Sequence, residues 1–217
     1  MKYNYNEVKD KLFAPCILDI LDDLGYRKQG MDYTMRPLVQ NDVKIMGPAF
    51  TFLACEVYEE PEHPYKNEFE GLDQMPEGSV MAATTQGSMS SAYFGELLAT
   101  RARYRGVRGA IIDGATRDIG KIMEMEFPLY CKGISPYDSK GRMDVIAYNV
   151  PIVCGGVLIN PGDVIYAEKE GIAVIPADVV DKVIDLTIEK LTKEDIVRKE
   201  LQSGTSAADV FDKYGVL

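Results

Sequence analysis

The chain has 217 residues and a formal net charge of −10, and its 46% hydrophobic and 27% charged residues are typical of an ordinary folded protein. This composition excludes disordered, collagen-like and coiled-coil proteins. An acidic surface repels phosphate backbones, so we expect no nucleic-acid partner, although a single arginine can still bind a small anion locally.

Cysteine and histidine usage excludes several kinds of site. The four cysteines are far apart and form no C-x-x-C pair, so we interpret Cys16, Cys55, Cys131 and Cys154 as structural thiols. The single histidine, His63, lies in a proline-rich stretch typical of a loop, which argues against hydrolase triads and His-rich zinc sites. No signal-peptide pattern and no membrane-length apolar run is present, so we expect a cytoplasmic protein without a membrane partner.

The first half of the chain predicts alternating helices and strands. A helix begins at Pro15 and ends at Gly25, with Ile17, Leu21 and Leu24 on one face. The next predicted elements are a strand at 47–58, an acidic loop at 59–78 with at most one helical turn, a strand at 79–83, a helix at 91–104 and a buried strand at 106–113.

The second half continues the same mixture, so the predicted fold class is α/β. A turn over GATRD (114–118) leads into a short helix at 118–125, and further strands follow in PLYCKG, VIAYNVPIVCGG and VLI. The last predicted elements are a hairpin over 164–175 that turns at Lys169 to Gly171, a long amphipathic helix at 177–201 and a final helix capped by Ser206.

The segment 94–120 carries the residues best suited to chemistry. The amides of Gly95 to Leu98 lie near the start of a predicted helix, where unpaired N–H groups attract a carboxylate or phosphate. Arg117 and Asp118 follow the buried strand at its C-terminal end, where α/β sheets bind ligands. A guanidinium binds a carboxylate through two hydrogen bonds, and a lone carboxylate suits Mg²⁺, which keeps several waters. Because adjacent side chains usually diverge, we expect Asp118 to do more than pair with Arg117; a solvated turn is the alternative.

Spacing and sequence together point to a known family. Twenty residues separate Glu96 from Arg117, and Asp118 follows directly. The other distinctive segments are GPAFT (47–51), GELLA (95–99), GVRGAIIDGATRD (106–118), NPGDVIYAEKEGIAVIP (160–176) and GTSAADVFDKYGVL (204–217). In this order they resemble the family of class II 4-hydroxy-4-methyl-2-oxoglutarate aldolases and the regulator of ribonuclease activity A, whose active members carry an acidic-x20-Arg-Asp signature. The resemblance implies a single α/β domain over 1–217 with the layered β/β/α, swivelling phosphohistidine-domain-like fold of the RraA-like family.

The resemblance also implies roles for these residues. The amides of Gly95, Glu96, Leu97 and Leu98 and the side chain of Arg117 bind a small 2-keto acid substrate. Asp118 anchors Mg²⁺, Mn²⁺ or another divalent cation. Glu96 helps to hold the water shell of the metal or relays a proton.

Other implied features concern the assembly. Family members are trimers or dimers of trimers, so we expect a homotrimer or hexamer, with the C-terminal helices at 177–217 packing at subunit contacts. Active members also take an acidic residue from a neighbouring subunit, which we assign to Glu194, with an ordinary exposed helix face as the alternative. The turn Glu168-Lys169-Glu170-Gly171 replaces the Asp-x-Asp-Gly of relatives and is interpreted as structural; Lys121 is interpreted as a surface residue.

The implied activity is metal-dependent cleavage of 4-hydroxy-2-keto diacids such as 4-hydroxy-4-methyl-2-oxoglutarate, together with oxaloacetate decarboxylation, through a metal-stabilised pyruvate enolate. Metal-bound water is the predicted base, because no histidine is placed to act as one. The alternative is a non-catalytic protein-binding regulator of ribonuclease activity; retention of Glu96, Arg117 and Asp118 favours the enzyme. A methyltransferase is disfavoured because no G-x-G-x-x-G loop follows a strand.

Overall fold

The computed structural model describes residues 2–38 and 43–215. Its helices are α1 (Tyr5–Val8), α2 (Ala14–Asp23), α3 (Lys66–Gln74), α4 (Glu96–Tyr104), α5 (Ile119–Glu124), α6 (Val180–Gln202) and α7 (Ala207–Tyr214). Its strands are β1 (Arg36–Pro37), β2 (Ile45–Glu56), β3 (Val80–Thr84), β4 (Ala92–Phe94), β5 (Ala110–Thr116), β6 (Leu129–Ile134), β7 (Met143–Tyr148), β8 (Ile152–Cys154), β9 (Val157–Ile159), β10 (Val164–Glu168) and β11 (Gly171–Ile175). Helices and strands are mixed throughout, which confirms the predicted α/β class.

Within the described ranges, nine strands form one sheet that curls into a nearly closed barrel. Its order is β1-β6-β5-β3-β2-β10-β11, with β4 beside β5 and β7 beside β2. The central strands β2, β3, β5 and β6 run parallel, as does β4 against β5, whereas the flanking pairs are antiparallel. The carboxyl ends of β4, β5 and β6 therefore meet at one edge.

The sheet is covered on both faces. Along β5, Ile112 belongs to a hydrophobic cluster beneath α3, α4 and α5, whereas Ile111 belongs to a cluster on the opposite face with β8 and β9. A third cluster joins α1, α2 and α6 to β10 and β11. Alternate residues of β5 thus point into different cores, which explains the continuous apolar run predicted as a buried strand.

Three predicted elements differ most from the structure. Residues 92–94 form strand β4 rather than the first turn of a helix, because they pair with Ala115 and Thr116 of β5. The strand β5 continues through 114–116, so the predicted GATRD turn is confined to Arg117 and Asp118. The segment 59–78, predicted as mainly loop, contains the nine-residue helix α3.

Other predicted features are confirmed. Pro15 lies in the first turn of α2, the 164–175 hairpin is β10–β11, and the Ser206 hydroxyl caps α7 by accepting from the Asp209 amide at 3.2 Å. His63 lies in an exposed bend. Residues 216–217 of the predicted C-terminal region lie outside the described residues.

The cysteines and the hydropathy of the helices also agree with the sequence. All four thiols are free, and burial raises the pKa of Cys16 to about 11 and of Cys131 to about 12. A protonated, buried thiol is a poor nucleophile, which supports a structural role. Across the described ranges, every helix is too short or too polar to cross a bilayer.

The turn at Glu168 is structural, as predicted. The Glu168 carboxylate is buried and accepts from the Ala14 amide at the start of α2 at 2.7 Å. It also lies 3.4 Å from the Tyr166 hydroxyl and 3.6 Å from Lys44 Nζ. One carboxylate therefore joins the hairpin, the first turn of α2 and the start of β2.

We expect Glu168→Ala to lower the free energy of unfolding by roughly 3 kcal/mol, because it leaves the buried Ala14 amide without its acceptor and removes the ion pair of the partly buried Lys44. Chemical denaturation measures this loss. The exposed neighbour Glu170 gives the matched control, since Glu170→Ala is expected to change stability by about 0.5 kcal/mol or less. Equal effects of the two substitutions would contradict the structural role of Glu168.

Candidate active site

The segments predicted to carry chemistry meet at the sheet edge where β4, β5 and β6 end. Gly95 follows β4, and Arg117 and Asp118 follow β5. The Arg117 amide and the Thr116 hydroxyl both donate to the Phe94 carbonyl, at 2.9 and 2.8 Å, which fixes the two strand ends together. Asp138, which follows β6, joins them through a bridge to Ala92. The structure therefore brings the first turn of α4 and the Arg117-Asp118 pair into one crevice.

Asp118 adopts a left-handed backbone conformation, with φ of 58°. This conformation turns its carboxylate back towards α4, where Oδ2 accepts from the Glu96 amide at 3.2 Å and lies 3.6 Å from Arg117 Nε. The expectation that adjacent side chains diverge was wrong here, because it assumed an ordinary backbone conformation. Asp118 precedes α5 in the chain, yet its side chain caps α4 rather than α5.

The first turn of α4 retains free backbone donors. Its first intrahelical hydrogen bond runs from the Ala99 amide to the Gly95 carbonyl. The Asp118 carboxylate accepts a hydrogen bond from the Glu96 amide. Among the described residues, the amides of Leu97 and Leu98 donate to no acceptor. Such donors at a helix start favour an anionic ligand.

Gly95 is required by close packing rather than by backbone strain. Its φ of −147° and ψ of −174° are accessible to any residue. A Cβ atom at this position would lie 2.8 Å from Asp118 Oδ2 and 3.3 Å from Arg117 Cγ. Glycine is thus the residue that lets both side chains approach the start of α4.

A cavity of about 250 Å³ lies in front of these groups, a suitable size for a small organic acid. Arg117 and Asp118 are at its open side, with side chains 35% and 40% exposed. Arg117 NH2 also lies 3.5 Å from Asp138 Oδ1, so its guanidinium is held between two carboxylates. The remaining lining residues are Tyr65, Glu68, Phe69, Ala92, Tyr93, Phe94, Gly95, Leu97, Leu98 and Ser139.

Two predicted acidic residues lie elsewhere. The Glu96 carboxylate accepts from the Thr100 hydroxyl at 3.0 Å and is 4.0 Å from Lys121 Nζ, and its side chain does not line the cavity. Its role towards a metal or a proton therefore stays a prediction. Glu194 lies on α6, close enough to Cys16 and Lys190 to influence them electrostatically. Helix α6 contributes nothing to the cavity of its own chain, and whether Glu194 serves a neighbouring subunit stays a prediction.

The carboxylate available in the cavity suits a divalent cation that keeps most of its water ligands. In the described parts of the chain, no three His, Cys, Asp or Glu side chains form a metal-binding group. Asp118 is the predicted ligand that lines the cavity, and only Oδ2 of its carboxylate has protein partners in the described ranges. Magnesium commonly binds through one or two carboxylates and keeps several waters, so a single anchoring carboxylate fits it.

Sequence reasoning missed the residues that form the inner walls of the cavity. Tyr65 and Glu68 come from the segment predicted as loop, and Tyr93 from the stretch predicted as helix. One signal was available for Glu68, which shares a helical face with Gly71 and Leu72 and would therefore be buried with them. Asp138 follows the strand predicted in PLYCKG, as Arg117 follows the strand predicted at 106–113.

Fold and site together define a member of the RraA-like family. Residues 14–174 match the family model described as Aldolase/RraA, so the chain belongs to this family and the predicted resemblance is confirmed. A solved structure of Streptomyces coelicolor RraAS2, titled an unusual member of the RNase ES inhibitor RraA protein family, has a TM-score of 0.81. It is 24% identical and the match covers 89% of this chain and 96% of that one, which shows the shared fold.

Two relatives show the range of proteins that this chain resembles. It is 30% identical to "Protein DlpA" of Legionella pneumophila over 198 residues, which are 91% of this chain and only 32% of that protein. It is 29% identical over 192 residues to a protein of Halalkalibacterium halodurans named "Putative 4-hydroxy-4-methyl-2-oxoglutarate aldolase", covering 88% of this chain and 86% of the relative. The chain thus spans about a third of the length of the first relative and most of the second.

Proposed function

We propose that this protein is a divalent-metal-dependent lyase that cleaves 4-hydroxy-2-keto acids to pyruvate and a second carbonyl compound, and that it also decarboxylates oxaloacetate. One observation carries this proposal: Arg117, Asp118 and the amides of Leu97 and Leu98 surround one small cavity, and those amides have no acceptor among the described residues. The names of relatives at about 30% identity support the aldolase activity.

The chain's own groups bind and orient the keto-acid end of the substrate. The Arg117 guanidinium, held by Asp118 and Asp138, offers two parallel N–H donors to the substrate carboxylate. The amides of Leu97 and Leu98 stabilise negative charge that develops on the keto oxygen. Asp118 would hold a divalent cation, whose chemistry when bound is to withdraw electrons from the keto group.

The reaction breaks one carbon–carbon bond and balances without a redox partner. The C4 hydroxyl gives its proton to a water molecule, the C4 oxygen forms a carbonyl, and the C3–C4 electron pair passes to the keto oxygen as an enolate. A proton then returns to C3 and gives pyruvate. From oxaloacetate, the same enolate forms when CO2 leaves. Throughout the reaction the α4 amides face the enolate oxygen and Arg117 binds the carboxylate.

The assay for this proposal measures pyruvate release from oxaloacetate and from 4-hydroxy-2-oxopentanoate, with Mg²⁺ or Mn²⁺ and with EDTA. We expect release that depends on both protein and metal and that returns when metal is restored after EDTA. Release no faster than the metal-only control on every substrate would reject the enzyme and leave the protein-binding regulator as the explanation of this fold.

We further propose a homotrimer, or a hexamer of two trimers, in which subunits meet beside the cavity and the C-terminal region at 177–217 contributes contacts. Leu97, Ile134 and Tyr137 near the cavity are 77%, 61% and 59% exposed, and Phe211 on α7 is 54% exposed. Covering such apolar side chains is a common reason for association. Light scattering is expected to give three or six times the chain mass of 24.1 kDa. A monomer at micromolar concentration would contradict this assembly.

A further inference from the structure

A buried carboxyl group on α3 lies at the inner end of the site cavity. Glu68 is 4% exposed and shares the buried face of α3 with Gly71 and Leu72. Helix α3 is held over the sheet by the Asn67 side chain, which donates to the Val145 carbonyl at 2.7 Å. Within residues 2–38 and 43–215, no donor is hydrogen-bonded to the Glu68 carboxyl group. A buried carboxyl group without a protein partner is costly, so Glu68 is expected to hydrogen-bond to an ordered water or to a bound ligand.

A second unpartnered group lies beside it. The Tyr93 hydroxyl is fully buried and has no hydrogen-bond partner in the described structure. Tyr93 belongs to β4, two residues before Gly95, so it is fixed to the same strand that positions the start of α4. Two buried groups, one from α3 and one from β4, therefore present unused donors and acceptors to the same space.

Their position relative to Arg117 follows from the shape of the cavity. A small inner recess adjoins the main cavity and shares Tyr65, Glu68, Tyr93 and Ser139 with it. Arg117 and Asp118 do not line this recess; they line the main cavity and a second, open groove beside Ile134. Glu68 and Tyr93 thus line a part of the site that Arg117 and Asp118 do not line, and Asp138, the ion-pair partner of Arg117, lies within electrostatic range of Glu68.

The recess favours an uncharged group over an anion. Burial, together with the charges of Asp144 and Asp138, raises the pKa of Glu68 to about 8, so the carboxyl group is protonated and neutral at pH 7. The Tyr65 and Tyr93 hydroxyls beside it are neutral at this pH, and burial raises their pKa values further, whereas Asp144 brings a second carboxyl group to the wall of the recess. A second carboxylate placed here would lose its hydration and face two acidic neighbours.

We propose that this recess binds an uncharged hydroxyl or carbonyl group at the far end of the substrate, through hydrogen bonds with Glu68 and Tyr93. The proposal rests on the proposed lyase function and narrows its substrate class. The favoured substrate is a 4-hydroxy-2-keto acid whose distal end carries oxygen without charge. This differs from the diacid that the family resemblance implies.

Three substrates that differ only at C5 test this preference. They are 4,5-dihydroxy-2-oxopentanoate, 4-hydroxy-2-oxopentanoate and 4-hydroxy-2-oxoglutarate, which carry a hydroxymethyl, a methyl and a carboxylate group. We expect kcat/KM for the hydroxymethyl substrate to exceed that for the carboxylate substrate by about tenfold or more. The recess offers hydrogen bonds to the hydroxyl group, whereas a carboxylate placed there would lose its hydration. A preference for the carboxylate substrate would overturn the proposal.

Substitution of Glu68 shows whether this group sets the preference. Glu68→Leu is expected to lower the ratio of kcat/KM for the hydroxymethyl substrate to that for the methyl substrate about tenfold, since only the hydroxymethyl substrate loses a hydrogen bond. Glu68→Gln is expected to retain much of the preference. The exposed neighbour Glu70 supplies the matched control, Glu70→Gln, which is expected to alter none of the three values. An equal loss on all substrates in Glu68→Leu would contradict a recognition role.

Thermal unfolding against pH tests the charge state of Glu68 independently of turnover. A carboxyl group whose pKa is raised in the folded state stabilises the fold at low pH and loses that contribution as pH rises through about 8. We therefore expect the wild-type Tm to fall between pH 6 and 9 more steeply than that of Glu68→Gln. Parallel curves would show that Glu68 is charged at neutral pH and would overturn the proposal.

Metal-dependent exchange of the pyruvate methyl protons with D2O separates this proposal from the proposed function. Pyruvate lacks the distal group, so exchange requires the Arg117 end of the site alone. If wild-type protein exchanges no protons, the lyase function fails. If wild-type and Glu68→Leu proteins exchange equally but show no distal preference, the recess proposal fails while the lyase function stands.

Discussion

Asp118→Asn is expected to lower kcat/KM for pyruvate release by about a hundredfold, with partial recovery at raised Mg²⁺ or Mn²⁺ concentration. The substitution keeps an oxygen that can accept from the Glu96 amide, but it removes the charge that would anchor a divalent cation and hold Arg117. A loss of this size is typical when one electrostatic contact to a transition state is removed. Because the side chain is 40% exposed, Tm is expected to change little.

The matched control for this prediction is Asp73→Asn. Asp73 also pairs with an arginine, Arg101, but lies on α3 outside the cavity, and its side chain is 61% exposed. This control is expected to keep full activity and unchanged metal dependence. An apparent metal affinity of Asp118→Asn equal to that of the wild type would reject Asp118 as the anchoring residue and leave it as a cap of α4.

Gly95→Ala is expected to reduce kcat/KM by roughly a hundredfold, although it adds a single methyl group. The added Cβ atom would lie 2.8 Å from Asp118 Oδ2 and 3.3 Å from Arg117 Cγ, so both side chains must move. Misplacing reacting or binding groups by about 1 Å commonly costs this much activity. The backbone conformation suits alanine, so stability is expected to fall by no more than about 1 kcal/mol, the usual cost of a poorer N-cap.

Gly120→Ala is the control, because a Cβ atom at this position of α5 has no other atom within 4 Å. It is expected to retain activity and to raise helix stability slightly. Steady-state kinetics and thermal unfolding on both variants give the comparison. Full activity in Gly95→Ala would show that the close approach of Arg117 and Asp118 to α4 does not matter for turnover.

Local chemistry explains which features the sequence predicted. Pro15 begins α2, Ser206 caps α7 and the 164–175 hairpin turns where the residue pattern indicates, because each feature depends on neighbouring residues. The Arg117-Asp118 pair was predicted correctly at the carboxyl end of the buried strand, where α/β sheets bind ligands, although α4 begins at Glu96 rather than at 91.

Tertiary contacts explain what the sequence did not predict. Helix α3 lies in a polar segment, and it packs closely against the sheet because Gly71 has no Cβ atom. A Cβ atom at this position would lie 2.5 Å from the Phe52 ring and 2.9 Å from Tyr148. Those partners are distant in sequence. The left-handed conformation of Asp118 is likewise stabilised by its contact with α4, and no local pattern indicates it.

The most direct test of the central claim is proton exchange into pyruvate, followed by NMR in D2O with Mg²⁺. A protein that stabilises the pyruvate enolate must exchange the methyl protons, whereas a protein-binding regulator has no reason to do so. We predict loss of the methyl signal that depends on protein and Mg²⁺, stops with EDTA and is strongly reduced in Asp118→Asn. Exchange at the rate of Mg²⁺ alone would contradict the assignment of this site as a lyase.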